Sequence, residues 1–204
     1  MTLPLDLHLH HRPWAVFSHD RRYRYKLTRD WNAELPRMGI VGHNPSTAGE
    51  HRNDRTVCRL IDFAKRFGHG GFDLYNLYAG VSTDPKLLNL LRDPIGPDND
   101  DHLAQLADEH DFILLAWGGY ADPHRARTVT ARLWHAVEPR GGTLATLGWT
   151  SSNQPRHPLY LASTTALQSL TATPHHDYAD IDDRWSQLIA DTDLDAPTHV
   201  RRAG

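Results

Sequence analysis

Four short apolar segments, separated by amphipathic stretches, constrain the fold of this chain more than any other feature. "RMGIVGH" (37 to 43), "FDLYNLY" (72 to 78), "DFILLAWG" (111 to 118) and "GTLATLG" (142 to 148) read as buried strands. "TVCRLIDFAKRFG" (56 to 68), "NDDHLAQLADEH" (99 to 110) and "PHRARTVTARLWHAV" (123 to 137) read as helices, each followed by Gly or a polar break. Because strand and helix alternate, the expected fold class is α/β, a three-layer α/β/α arrangement with a central four-stranded parallel sheet and helices on both faces. The segment "YRYKLTRDW" alternates as an antiparallel edge strand would. At 204 residues one domain is expected, over 22–170, with an extension over 1–21 and an acidic, partly disordered tail over 171–204.

In an open parallel sheet, ligands bind beyond the carboxyl ends of the strands. Those ends are unusual here. The first strand runs into "GHNPSTA", the second into "YNLYAGVSTDP", the third into "AWGGYADP", and "WTSSNQPRHPLYLAS" follows the fourth. Polar, small and aromatic residues thus converge on one edge of the sheet. Taken singly, each motif has an ordinary reading. Asn44-Pro45 suits a plain turn, since both residues favour turns, and Trp117-Gly118-Gly119 suits core packing followed by a tight exit. Asn76 is harder to set aside, because a buried amide without partners costs about 1–3 kcal/mol. His157-Pro158 fits a solvated turn or a working imidazole equally well. Four such motifs in order along one sheet edge favour function.

Totals exclude several classes of protein. No apolar run approaches the ~20 residues a membrane span requires. The start, "MTLPLDLHLHH", carries an acid and histidines where a secretory signal has a basic end and an apolar core, so a cytoplasmic protein is expected. The single cysteine, Cys58, rules out an internal disulfide framework and a Cys-rich zinc site, and is expected in the core. His8, His10 and His11 lack the Asp or Cys companions of a structural metal site, so no metal and no cofactor is expected. "ASTTA" (162 to 166) lacks a nucleophile elbow and "GHGG" (68 to 71) lacks the Lys-Ser/Thr of a phosphate loop. Net charge is −3, but residues 12 to 37 are mainly basic and residues 177 to 195 mainly acidic, so a basic face is compatible with the total.

Together the strand-end motifs resemble the uracil-DNA glycosylase superfamily over about residues 37 to 163. "GHNPST" is similar to its Gly-x-Asp/Asn-Pro motif, "LYNLYAG" to the segment whose Asn reads the base edge, "ILLAWGGYA" to its Leu-Trp-Gly-x-x-Ala segment, and "RHPLYLA" to its His-Pro-Ser-Pro loop. A closer resemblance, over about residues 22 to 170, is to a bacterial and phage domain family with "NPSTA", "TDP" and "RHPLY", which brings no established activity. The superfamily resemblance implies that Asn44 places the attacking water, with His43, Pro45 and Ser46 beside it. It further implies that Asn76 reads the base, that His157 stabilises the departing base, and that a wedge enters the duplex.

Hydrolysis of an N-glycosidic bond passes through a cationic sugar while negative charge develops on the base, so it needs a placed water and a donor at the base oxygen. An amide is no base, so Asn44 alone cannot take the water's proton. Asp54 is the nearest carboxylate in sequence, and it reads equally as the N-cap of the helix from Thr56. Tyr78, Trp117, Tyr120 and Trp149 are available to stack on a flipped base, while Arg156, Leu159 and Tyr160 are candidates for DNA contact and wedging. Ser46 stands where the uracil enzymes carry a Tyr against C5, which implies room for a bulky 5-substituted pyrimidine. Such bases are abundant in phage genomes, which makes antiphage defence the favoured role. The expected partner is DNA, with no membrane and no obligatory protein partner. The alternatives are a non-catalytic binder of a modified base or nucleotide, and a free-nucleoside hydrolase.

Overall fold

The computed structural model describes residues 14–46, 48–50, 52–170 and 182–190. Among them, seven strands form one sheet: β1 (Trp14–Phe17), β2 (Arg24–Asp30), β3 (Arg37–Gly42), β4 (Gly71–Asn76), β5 (Phe112–Leu115), β6 (Thr143–Thr146) and β7 (Gln168–Leu170), in the order β1-β2-β4-β3-β5-β6-β7. Four α-helices accompany it among the described residues: α1 (Arg55–Arg66), α2 (Asn99–Glu109), α3 (Pro123–Val137) and α4 (Asp183–Ile189).

The expected fold class, a four-stranded parallel sheet of the uracil-DNA glycosylase kind, is corrected by this topology. The sheet is mixed. β4-β3-β5-β6 pair in parallel, but β1-β2, β2-β4 and β6-β7 pair antiparallel. Two local features hid the added strands. The segment from Arg24 was expected at an edge because its residues alternate, yet both of its sides are paired, to β1 and to β4. Its charged side chains are buried among partners: Lys26 bonds Glu109 at 2.8 Å and Arg29 bonds Asn53 at 2.7 Å. β7 is short, and two of its three residues are exposed, so its sequence carries no apolar run.

Successive strand residues face opposite sides, so each inner strand feeds two apolar layers. Met38, Ile40, Phe72 and Leu74 pack with Val57, Leu60 and Phe63 of α1; Val41, Tyr75, Ile113 and Leu115 pack with α2, α3 and α4 on the other face. Each such Val, Leu or Phe side chain contributes about 1.5–3 kcal/mol by leaving water. α1 forms where it does because Asp54 caps it, accepting the Val57 amide hydrogen at 2.8 Å, and apolar residues then recur at 57, 60, 63 and 64. Cys58, expected in the core, lies on the exposed face of that helix, since the buried stripe passes it by.

In the C-terminal region, residues 182–190 depart from the expected polar tail. α4 buries Trp185 and Leu188 in the core, and Trp185 meets Trp149 edge to face at 4.9 Å between ring centroids. The rest of the expected tail, 171–181 and 191–204, lies outside the described residues, as do His8, His10 and His11.

Candidate functional site

Three features of the sequence bring the polar residues to the carboxyl ends of the parallel strands. β3 ends at Gly42 directly beside Asn76, the last residue of β4. A Cβ on residue 42 would stand 2.7 Å from Asn76 Oδ1, so only glycine lets the amide sit there. After β5 the chain turns at Gly118, whose φ of +81° is left-handed and whose Cβ position lies 3.0 Å from the Cβ of His157. These two glycines give Asn76 and His157 their close surroundings. The third feature is the loop after β6, which returns through Pro155, whose carbonyl accepts from the Gly118 amide at 2.8 Å, and delivers His157.

Around that edge the side chains constrain one another. Asn44 donates one amide hydrogen to Pro45 O at 2.9 Å and the other to Ser82 O at 2.8 Å. Its Oδ1 is therefore the free acceptor, and His43 Nδ1 lies 3.0 Å from it. The His43 ring packs at 5.2 Å from the Tyr78 ring, and its buried Nε2 has no hydrogen-bond partner. His157 Nδ1 accepts from the Leu159 amide at 3.3 Å, which puts the proton of a neutral ring on Nε2. Burial holds both histidines below the ordinary value of 6.5, and a charge on His43 would disfavour protonation of His157 further. Opposing burial, Asn44 and the Tyr120 carbonyl favour protonated His43, and Asp54 favours protonated His157. Both imidazoles are neutral at pH 7.

Asn76 is 3% exposed, and its Nδ2 is buried without a partner. The backbone around it is satisfied from elsewhere: Asn99 Nδ2 donates to the carbonyls of Asn76 and Leu77, each at 3.1 Å. Two arginines of β2 hold Ala48, Gly49 and Asn53 between Ser46 and Asp54. Arg24 donates to Ala48 O, while Arg29 donates to Gly49 O at 2.6 Å and Asn53 Oδ1 at 2.7 Å. Burial draws the Arg24 guanidinium down to about 10, the Asp54 carboxylate opposes that, and Arg29 adds to it. The other rim is fixed by α1, where Arg59 bonds Leu161 O at 2.7 Å and Arg66 bonds Ser163 O at 2.6 Å and Thr165 O at 2.7 Å.

Of the residues singled out in the sequence, the fold gathers His43, Asn44, Pro45, Tyr78, Tyr120 and His157 at one edge, with Asn76 beside Gly42 and Asp54 at the head of α1. Ser46 is half-buried in the same loop. Trp117 is withdrawn from it: the ring is 2% exposed and its Nε1 donates to Gln154 Oε1 at 2.9 Å, so it backs the wall and offers no stacking face. Trp149 is taken up by Trp185. Tyr120 is 69% and Tyr160 89% exposed, Arg156 is exposed, and Leu159 is half-buried. Sequence reasoning missed Arg24, Arg29 and Ser82. For the arginines, charged residues in a strand-like segment were the available signal; for Ser82, which acts through its carbonyl, there was none.

A cleft of about 960 Å³ opens at the opposite end of the sheet, near Trp14, Lys26, Arg37, Asp73, Glu109 and His110. The acidic cluster in it is already paired. Asp73 is bonded by Thr28, by Arg37 at 2.5 Å and by His110 at 3.1 Å. Asp73, Glu109 and His110 hold their ligand atoms within 4.8 Å of one another, but the Lys26 ammonium, 2.8 Å from Glu109 and 3.6 Å from Asp73, already supplies the cation there. Buried polar atoms without a hydrogen-bond partner occur at both ends: His69 Nδ1 beside the cleft, and His43 Nε2 and Asn76 Nδ2 at the other.

No helix among the described residues is long and apolar enough to cross a membrane. Neither a curated protein nor a solved structure matches the chain. The model of one family, described as "Protein of unknown function (DUF1643)", matches residues 24–159, more than half of the chain, and the chain belongs to that family.

Proposed function

We propose that this protein is a monofunctional DNA glycosylase, hydrolysing the N-glycosidic bond of a modified, bulky 5-substituted pyrimidine and leaving an abasic site. The observation that carries the reading is the buried, unpartnered Nδ2 of Asn76 at the carboxyl end of β4. Leaving such a donor unsatisfied costs about 1–3 kcal/mol, a cost that persists where a ligand's polar edge will meet the group. The loops that follow the parallel strands carry the other parts this chemistry needs. His157 is neutral and carries its proton on Nε2, so it can donate to the base oxygen as negative charge develops there. Ser46, half-buried in the loop after β3, carries a small hydroxyl in place of a ring. The exposed Tyr160, beside half-buried Leu159, is suited to enter a duplex as its base leaves the stack. In this reading the enzyme works in the cytoplasm on DNA, and phage genomes rich in modified bases are its targets.

Incubation with oligonucleotides carrying uracil, 5-hydroxymethyluracil, 5-hydroxymethylcytosine or glucosylated 5-hydroxymethylcytosine, followed by alkali, tests the reading. Strand cleavage at a modified base, with the larger substituents preferred over uracil, is the expected result. Tight binding without cleavage on all of them replaces the enzyme by a binder, and release of base from free nucleosides alone replaces it by a nucleoside hydrolase.

A further inference from the structure

Asn44, the residue first assigned to the water, has no amide hydrogen left for it, since Pro45 O and Ser82 O take both. Its remaining acceptor, Oδ1, faces His43 Nδ1 at 3.0 Å. An acceptor there requires a donor, so a neutral His43 carries its proton on Nδ1, and Nε2 is a bare lone pair. That nitrogen is buried and unpartnered. His157 has the opposite tautomer, because its Nδ1 accepts from the Leu159 amide. The edge thus holds one imidazole ready to take a proton and one ready to give a hydrogen bond, each locked by its own neighbour.

We propose that His43 is the general base of this site and that Asn44 is the positioning residue that fixes its tautomer, an assignment that rests on the glycosylase reading. As the C1′–N1 bond breaks, its electron pair leaves on the pyrimidine, whose oxygen is met by His157 Nε2–H. A water oxygen forms the new bond to C1′ and passes one proton to His43 Nε2. That proton then goes, directly or through solvent, to the departed base anion, so the sum is one water consumed, one abasic sugar and one neutral base. The surroundings favour the proton's arrival. Once charged, His43 keeps Asn44 Oδ1 as the acceptor on Nδ1, a bond that stabilises the imidazolium more than the neutral form. Interactions that strengthen as the proton transfers lower the barrier. Burial holds the resting ring neutral, so the lone pair is available at pH 7. The titratable groups facing His43 are Tyr78 after β4 and His157, with Asp54 at the head of α1 acting on His157.

Two measurements test this independently. In protein labelled with ¹⁵N-histidine, two-bond proton–nitrogen correlation near pH 7.5 is expected to show His43 as the Nδ1–H tautomer and His157 as the Nε2–H tautomer. His43 found with its proton on Nε2 overturns the proposal whether or not activity is seen. The second uses the four modified oligonucleotides above under single-turnover conditions. His43→Gln is expected to slow base release by about 10²–10⁴-fold, the usual worth of a general base, with oligonucleotide affinity unchanged. The acid limb of the rate profile should survive in His157→Gln and vanish in His43→Gln. An acid limb retained in His43→Gln, or a rate equal to wild type, overturns the assignment. Wild-type protein that releases no base from any of the four oligonucleotides removes the glycosylase reading and this role with it, whereas an active wild type with an unaffected His43→Gln removes this role alone.

Discussion

Asn44 donates a side-chain hydrogen bond to the carbonyl of Ser82 at 2.8 Å, and so ties the loop that leaves β3 to the loop that leaves β4. Because its second amide hydrogen closes onto Pro45 O, the residue acts as a staple across two parallel strands. Asn44→Ala removes both donors from half-buried carbonyls and is expected to lower unfolding free energy by about 1–3 kcal/mol. Thermal denaturation reads this, and a variant as stable as wild type would show that water replaces the staple at no cost.

Asp54 caps α1 through the Val57 amide. Asp54→Ala is expected to lose about 1 kcal/mol, and Asp54→Asn, which keeps the accepting oxygen, only a few tenths. Comparing base release in the stable Asp54→Asn variant with wild type isolates the carboxylate's charge, which also favours a protonated His157. Unchanged release in Asp54→Asn is expected, since His157 works as a neutral donor.

Stability should fall with acidity in two steps. Burial lowers the folded values of His43 and His157 below 6.5, so between 6.5 and those values the unfolded chain binds more protons. Unfolding free energy therefore drops as pH falls below about 6.5. For Asp73, burial pushes the carboxyl up, but hydrogen bonds from His110 and Thr28 and the charges of Lys26 and Arg37 outweigh it and hold it below 3.8. Its contribution is complete above 3.8 and is lost as pH falls through the depressed value. The His43→Gln, His157→Gln double variant should shrink the first step, of which burial of His69 and His102 supplies the remainder, and leave the second. Thermal melts across that range check both, and a first step unchanged in the double variant would assign it to other groups.

Ser46→Tyr tests the size of the space beside the base. A ring at this position overlaps a 5-substituent, so release of glucosylated or hydroxymethylated pyrimidine is expected to fall by about 10²-fold or more, with the fold intact. Equal turnover of the bulky substrate by Ser46→Tyr would show that Tyr120 or Tyr160 closes the pocket instead.

The sequence alone determined the local elements. Apolar periodicity placed the inner strands near β3, β4, β5 and β6 and the helices near α1, α2 and α3, and the polar loops after each strand pointed to the edge where His43, Asn44, Asn76 and His157 lie. Those features depend on neighbours a few residues apart, so a one-dimensional pattern carries them. Only the tertiary structure decided the rest. β2 is interior because β1 pairs with its far side, and its charged residues are tolerated because Glu109 and Asn53, distant in sequence, receive them. Trp117 left the site because Gln154 holds its indole N–H. Asn44 became a staple because Ser82 O comes within reach only when β3 and β4 lie side by side. The tautomers of His43 and His157 follow from those same contacts: an imidazole's proton sits where its neighbours require it, and the neighbours are set by the fold.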